Sequence, residues 1–136
     1  MGQELLKVSI VTPTKHIITK EVDEITAPGA VGEIGILPNH RAFVSSLKEG
    51  GVTLFNGKSK THYAISGGYL EVSYNQVSVL AETAEISTSI DIKRARTAVA
   101  DAQEKMDGLS VDDIEYKLLN AKVRRNRVRI KVSELN

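Results

Sequence analysis

Hydrophobic and polar residues alternate along the first half of the chain. Leu6, Val8 and Ile10 flank Lys7 and Ser9, Leu70 and Val72 flank Glu71, and Val77 and Val79 flank Ser78. A period of two places every second side chain on one face, so these segments predict strands with one buried side. Asn56-Gly57 separates Val52-Thr53-Leu54-Phe55 from the run Lys58 to Ile65. Asn-Gly suits the positive φ angles of a two-residue type I′ turn, which predicts a β-hairpin there. Further turns are predicted at Pro28-Gly29, Pro38-Asn39, Glu49-Gly50-Gly51 and Gly67-Gly68. Short strands at this spacing predict a flattened sandwich or barrel, not a parallel sheet with crossover helices.

The period changes in the last third. Ile92, Ala95, Ala98, Val99, Ala102 and Met106 recur every three or four residues and predict a helix over about 90–106, capped by Ser89 or Asp91. Asp107-Gly108-Leu109 breaks the pattern, and Ser110-Val111-Asp112-Asp113 resembles a capping box for a second helix. Ile114, Leu118, Ala121, Val128 and Val132 form its apolar stripe, with a gap at Arg125. The alternation Val128-Arg129-Ile130-Lys131-Val132 also suits a strand end. The short connection makes the two helices an antiparallel hairpin. Its first stripe is mostly alanine, which buries far less than the roughly 1.5–3 kcal/mol of a Val, Leu or Ile side chain. So thin a hairpin must lean on the sandwich or on a partner.

Composition marks the same division. All three prolines and nine of the ten glycines lie within the first 68 residues, while helix formers fill the rest. The expected architecture is an all-β N-terminal flattened sandwich over 1–87 followed by an α-helical hairpin over 88–136. No apolar run approaches the roughly 20 residues of a membrane span. The start Met1-Gly2-Gln3-Glu4 lacks the pattern of a leader peptide. With no Cys among 136 residues, disulfides, thiolate nucleophiles and Cys-based zinc sites are excluded.

Catalytic chemistry finds no footing. His16, His40 and His62 lie far apart without ligand spacing. Ser66 before Gly67-Gly68 suits a turn, not a nucleophile elbow. Glu82 and Glu85 suit solvated charges at a module boundary. The stretch Gly29-Ala30-Val31-Gly32-Glu33-Ile34-Gly35 lacks the spacing of any phosphate loop.

Charge is more telling. The net charge of +1 conceals eleven Lys/Arg against sixteen Asp/Glu in residues 1–116, then seven basic residues against Glu134 alone in 117–136. On a helix Lys117, Arg124, Arg127 and Lys131 share one side, and Lys122, Arg125 and Arg129 share a neighbouring one. Such crowding predicts a negative partner, which composition alone leaves open between nucleic acid, anionic lipid and an acidic protein.

Four blocks bear on that choice. Gly32-Glu33-Ile34-Gly35-Ile36-Leu37-Pro38-Asn39-His40, Leu47-Lys48-Glu49-Gly50, Ile65-Ser66-Gly67-Gly68-Tyr69-Leu70-Glu71-Val72 and Val79-Leu80-Ala81-Glu82-Thr83-Ala84-Glu85 resemble, in order and spacing, the epsilon subunit of F-type ATP synthases. The likeness covers nearly the whole chain and is closest to the bacterial, cyanobacterial or chloroplast branch. It implies a non-catalytic central-stalk subunit of a proton-translocating synthase, coupling c-ring rotation to ATP synthesis. Implied partners are the gamma subunit, the c-ring and the catalytic α and β subunits, with membrane contact only through the complex. Implied localisation is peripheral, on the cytoplasmic or stromal face of a plasma or thylakoid membrane. Glu33 and His40 match the family's c-ring-facing positions. The family's hairpin permits turnover when folded and blocks hydrolysis when extended, so Lys122, Arg124, Arg125, Arg127 and Arg129 would form the inhibitory basic face. Ile90-Asp91-Ile92-Lys93-Arg94-Ala95 matches a motif of ATP-binding members, which would make Glu85, Asp91, Arg94 and Arg124 the nucleotide contacts. Asp101 stands where those members carry arginine, so ATP binding is expected to be weak and no cofactor is expected. The rival expectation is a basic-tailed nucleic-acid-binding protein.

Overall fold

The computed structural model describes residues 4–135; Met1, Gly2, Gln3 and Asn136, and with them most of the segment read for a leader, lie outside the described residues. Eight strands come first: β1 (Leu6–Val11), β2 (His16–Val22), β3 (Glu24–Gly29), β4 (Gly32–Ile36), β5 (Phe43–Asn56), β6 (Ser59–Ser73), β7 (Gln76–Ala81) and β8 (Ala84–Ile86). A 3-10 turn over Ser87–Ser89 leads into α1 (Ile92–Met106) and α2 (Ile114–Ser133). The strands hydrogen-bond in the order β2-β1-β7-β6-β5-β3-β4, with β8 against β6. One apolar cluster draws on strands from both ends of that order, from Leu6, Val8 and Ile10 of β1 to Ile25 of β3 and Ile36 of β4. A single sheet can share one core between its ends only by folding over into two layers. The expected sandwich is therefore present, though it holds one parallel pair, β1 with β7.

Two predicted turns are not turns. Glu49-Gly50-Gly51 and Gly67-Gly68 lie inside β5 and β6, which run for 14 and 15 residues and pair along nearly their whole length. The inward residues switch parity across these glycines: Leu47 gives way to Val52 and Leu54, and Tyr63 and Ile65 give way to Leu70 and Val72. The glycines mark where the long hairpin coils from one layer into the other. A Cβ on Gly68, whose φ is +139°, would lie 1.9 Å from the Leu80 carbonyl oxygen. Pro28-Gly29 also belongs to a strand, the buried end of β3.

The tip of this hairpin is displaced by one residue. Asn56 pairs with Ser59, so Gly57 and Lys58 are the central residues, and of these Gly57 alone has positive φ. That pattern is the II′ arrangement, not I′. Asp23 accepts a hydrogen bond from the Gly57 N–H and ties the tip to the β2–β3 corner.

Both helices form where periodicity places them. Asp91 caps α1, its Oδ1 accepting from Arg94 N at 3.0 Å. Ser110 and Asp113 exchange capping-box-like hydrogen bonds, Ser110 N donating to Asp113 Oδ2 at 3.2 Å, but within a turn that precedes α2. The segment Val128–Val132 is helical, not a strand end.

Replacing Gly68 by alanine should cost about 3 kcal/mol or more, because strain and a backbone clash coincide there. Gly32→Ala, with similar φ but no atom within 4 Å of the added Cβ, should cost about 1–2 kcal/mol. Chemical denaturation of both variants checks this ranking.

Candidate functional site

The stripe predicted for α2 divides in two. Ile114 and Leu118 are 77% and 66% exposed, whereas Val123, Asn126 and Val132 are buried. At 100° per residue, Tyr116, Leu119, Val123, Asn126 and Ile130 fall on one face and Ile114, Leu118, Ala121, Arg125, Val128 and Val132 on the opposite one. The first face packs against α1, whose Ala95 and Ala102 are buried as expected. The second faces the sandwich, where α2 touches β5, β6 and the 3-10 turn. Val128 and Val132 lie over the sandwich, while Ile114 and Leu118 extend the same line beyond it. α2 is thus the middle layer between α1 and the strands.

The strands beneath α2 carry small side chains. Ala64 is buried on the outward side of β6, and a Cβ on Gly51 would already stand 3.2 Å from Val132 Cγ2. The helix can approach because nothing projects toward it.

This docking line splits the basic residues into two flanks, each anchored to the sandwich. On one flank Arg124 Nε lies 3.1 Å from Glu49 Oε1. On the other Arg129 grips Glu85 with both prongs, Nε to Oε2 at 2.8 Å and Nη2 to Oε1 at 3.1 Å. Its Nη1 donates to Asn126 Oδ1 at 3.0 Å, and Asn126 Nδ2 donates to the Lys122 carbonyl at 2.9 Å. The partners Arg129 and Glu85 are 29% and 32% exposed, a partly shielded bidentate pair. Glu85 is therefore not a solvated boundary charge. Among the described residues Lys122, Arg125 and Arg127 make no ion pair.

Three of the four residues matched to nucleotide contacts are already engaged: Glu85 with Arg129, Arg124 with Glu49, and Asp91 as the α1 cap. Arg94 and Asp101 are exposed on α1.

Glu33 lies on β4, where it also lines the groove shared with Val128 and Val132 of α2, and His40 lies in the loop leading to β5. Glu33 lines a shallow depression with Phe43, and the His40 ring meets the Phe43 ring edge-on at 5.7 Å. The neighbouring loop is braced by Asn39 N donating to Asn75 Oδ1 at 2.6 Å and by Asn39 Nδ2 donating to Glu4. Among the described residues no three His, Cys, Asp or Glu side chains converge as metal ligands would.

Residues 5–134 are covered by two consecutive family models, the ATP synthase delta/epsilon chain β-sandwich domain at residues 5–87 and its long α-helix domain at 88–134. The chain belongs to the ATP synthase delta/epsilon family. It is 45% identical over 130 residues to the ATP synthase epsilon chain of Geobacter metallireducens, covering 96% of this chain and 94% of that one. The epsilon chain of Geobacter sulfurreducens is 43% identical over the same length. The fold matches a chain in the Euglena gracilis mitochondrial ATP synthase assembly of OSCP, F1 and c-ring (TM-score 0.71, 22% identity, 96% of this chain and 78% of that one). It also matches one in the Tetrahymena thermophila central stalk and c-ring (TM-score 0.64, 18% identity, 98% and 99%). As an epsilon-type chain it is a subunit of an F-type ATP synthase, with the fold seen in central-stalk assemblies.

His62, half-buried on β6 with Nδ1 2.8 Å from Thr53 Oγ1, has its pKa lowered by burial and, secondarily, by Lys60. A histidine kept neutral in the fold contributes stability above its unfolded pKa that is lost as pH falls through the folded one, because the unfolded chain takes the proton first. The melting temperature should therefore drop between about pH 7 and about pH 5, and His62→Gln should flatten part of that slope.

Proposed function

We propose that this chain is a non-catalytic rotor subunit whose sandwich joins the central stalk and whose helical hairpin restrains ATP hydrolysis. The observation that carries the reading is the independence of the sandwich core. Its buried cluster is built from strand residues alone, so the hairpin can leave without opening it. Assembly and regulation can then reside in separate parts of one chain.

In this reading the sandwich meets the gamma subunit and the c-ring, with Glu33 and His40 at the c-ring end. The hairpin's cations meet acidic segments of the catalytic α and β subunits when it extends. No helix among the described residues is long and apolar enough to cross a membrane. Attachment to the energy-coupling membrane, at its cytoplasmic or stromal face, would run through the complex. No observation favours the nucleic-acid reading, and two of the cations it would need already face sandwich carboxylates.

Reconstitution with matching α, β and gamma subunits tests the division of labour. The full chain should inhibit hydrolysis, while residues 1–87 should bind gamma without inhibiting. Equal inhibition by both would refute it.

ATP should bind the isolated chain weakly or not at all, since Glu85, Asp91 and Arg124 are engaged and Asp101 would repel a polyphosphate by about 1 kcal/mol. Calorimetry should detect no micromolar affinity, and Asp101→Arg should raise whatever affinity exists.

A further inference from the structure

The seven cations of α2 do not share one environment, and the difference sorts them into two groups of opposite effect. Arg124 and Arg129 lie on opposite flanks of the docking line and reach Glu49 and Glu85 on the sandwich. Lys117, Lys122, Arg125, Arg127 and Lys131 are exposed and make no ion pair among the described residues. We propose that Arg129 with Glu85, assisted by Arg124 with Glu49, is a clamp that holds the hairpin folded, and that the unpaired cations, with Lys122, Arg125 and Arg127 at their centre, are the ones available to draw it toward an acidic partner. The sign for hydrolysis rests on the inhibitory reading above; the clamp itself does not.

The geometry favours Arg129 as the main jaw. Its planar fork meets both carboxylate oxygens, a bidentate match that a single-point contact lacks. Its third donor is held by Asn126, which is buried and ties itself to the Lys122 carbonyl. The arginine is thus oriented before it meets Glu85, so less side-chain freedom is lost when the pair forms. The pair joins two elements, α2 through Arg129 with its brace Asn126, and β8 through Glu85. The apolar part of the dock is small, Val128 and Val132 over Gly51 and Ala64, so a pair worth a few-fold in population is a large share of it. Arg124 is more exposed and engages Glu49 through one nitrogen, which makes it the weaker jaw.

The chain has no cysteine, so Val132→Cys, at a position 2% exposed against the sandwich, reports hairpin opening through its rate of modification by a thiol reagent. In that background Glu85→Gln or Arg129→Gln should speed labelling of the full chain about fivefold, in line with a partly shielded charge pair. The exchanged pair Glu85→Arg with Arg129→Glu should label more slowly than either single charge change. Lys122→Gln, Arg125→Gln and Arg127→Gln should leave labelling within about twofold. In the reconstituted assembly Arg129→Gln should deepen inhibition of hydrolysis, whereas the Arg125→Gln/Arg127→Gln double variant should relieve it. Labelling of Arg129→Gln and Glu85→Gln at the parental rate would overturn the clamp. Faster labelling with unchanged hydrolysis would uphold the clamp and refute the inhibitory reading instead.

Discussion

A helix can lie against the outside of a β-sandwich only where the strands beneath it give up their side chains. In this chain the strip under α2 is Gly51 on β5 and Ala64 on β6, and Val132 sits so close that one added carbon on Gly51 would press on it. The hairpin's position, the reach of Arg124 to Glu49, the grip of Arg129 on Glu85 and the overhang of Ile114 and Leu118 all follow from that contact. It also limits the strength of the dock, because small residues bury little apolar area. The helix is placed accurately and held lightly, which suits the proposed detachment.

Charge completes the picture. Like charges three and four residues apart on α2 repel one another, and a free cationic helix would be under electrostatic strain. The folded arrangement relieves part of it by setting two of the arginines against sandwich carboxylates. The cations left over are the ones that keep an unmet demand for negative charge. A two-state element arises when each state satisfies part of one set of charges and neither satisfies all of it.

Much of this was legible in the sequence, and the parts that were not share a cause. The strands of Leu6–Val11 and Gln76–Ala81 and the α1 stripe through Ala95 and Ala102 announce themselves by local period. The glycine pairs misled because a coiling strand needs glycine for the same reason a turn does, and only the partner strand tells the two apart. The α2 stripe misled because the helix has two buried neighbours on opposite sides. Its α1-facing row includes Tyr116 and Asn126, which a search for aliphatic residues passes over. Glu85 and Arg129 are 44 residues apart, so no spacing rule could pair them. The hint available was that Arg124 and Arg129 lie either side of the Val128–Val132 line. The assignment of Glu33 and His40 to the c-ring rests on family likeness alone, since nothing local in the sequence distinguishes them.

The central claim is that the sandwich is a complete folding unit and the hairpin a lightly docked one. Native-state hydrogen exchange of the full chain tests it most directly. The account predicts that amides of α2 exchange through an opening several kcal/mol easier than the global unfolding that governs β1, β6 and β7, and that added salt lowers protection in the helix more than in the strands. Exchange of helix and strand amides with one common free energy, moving together with salt, would contradict it.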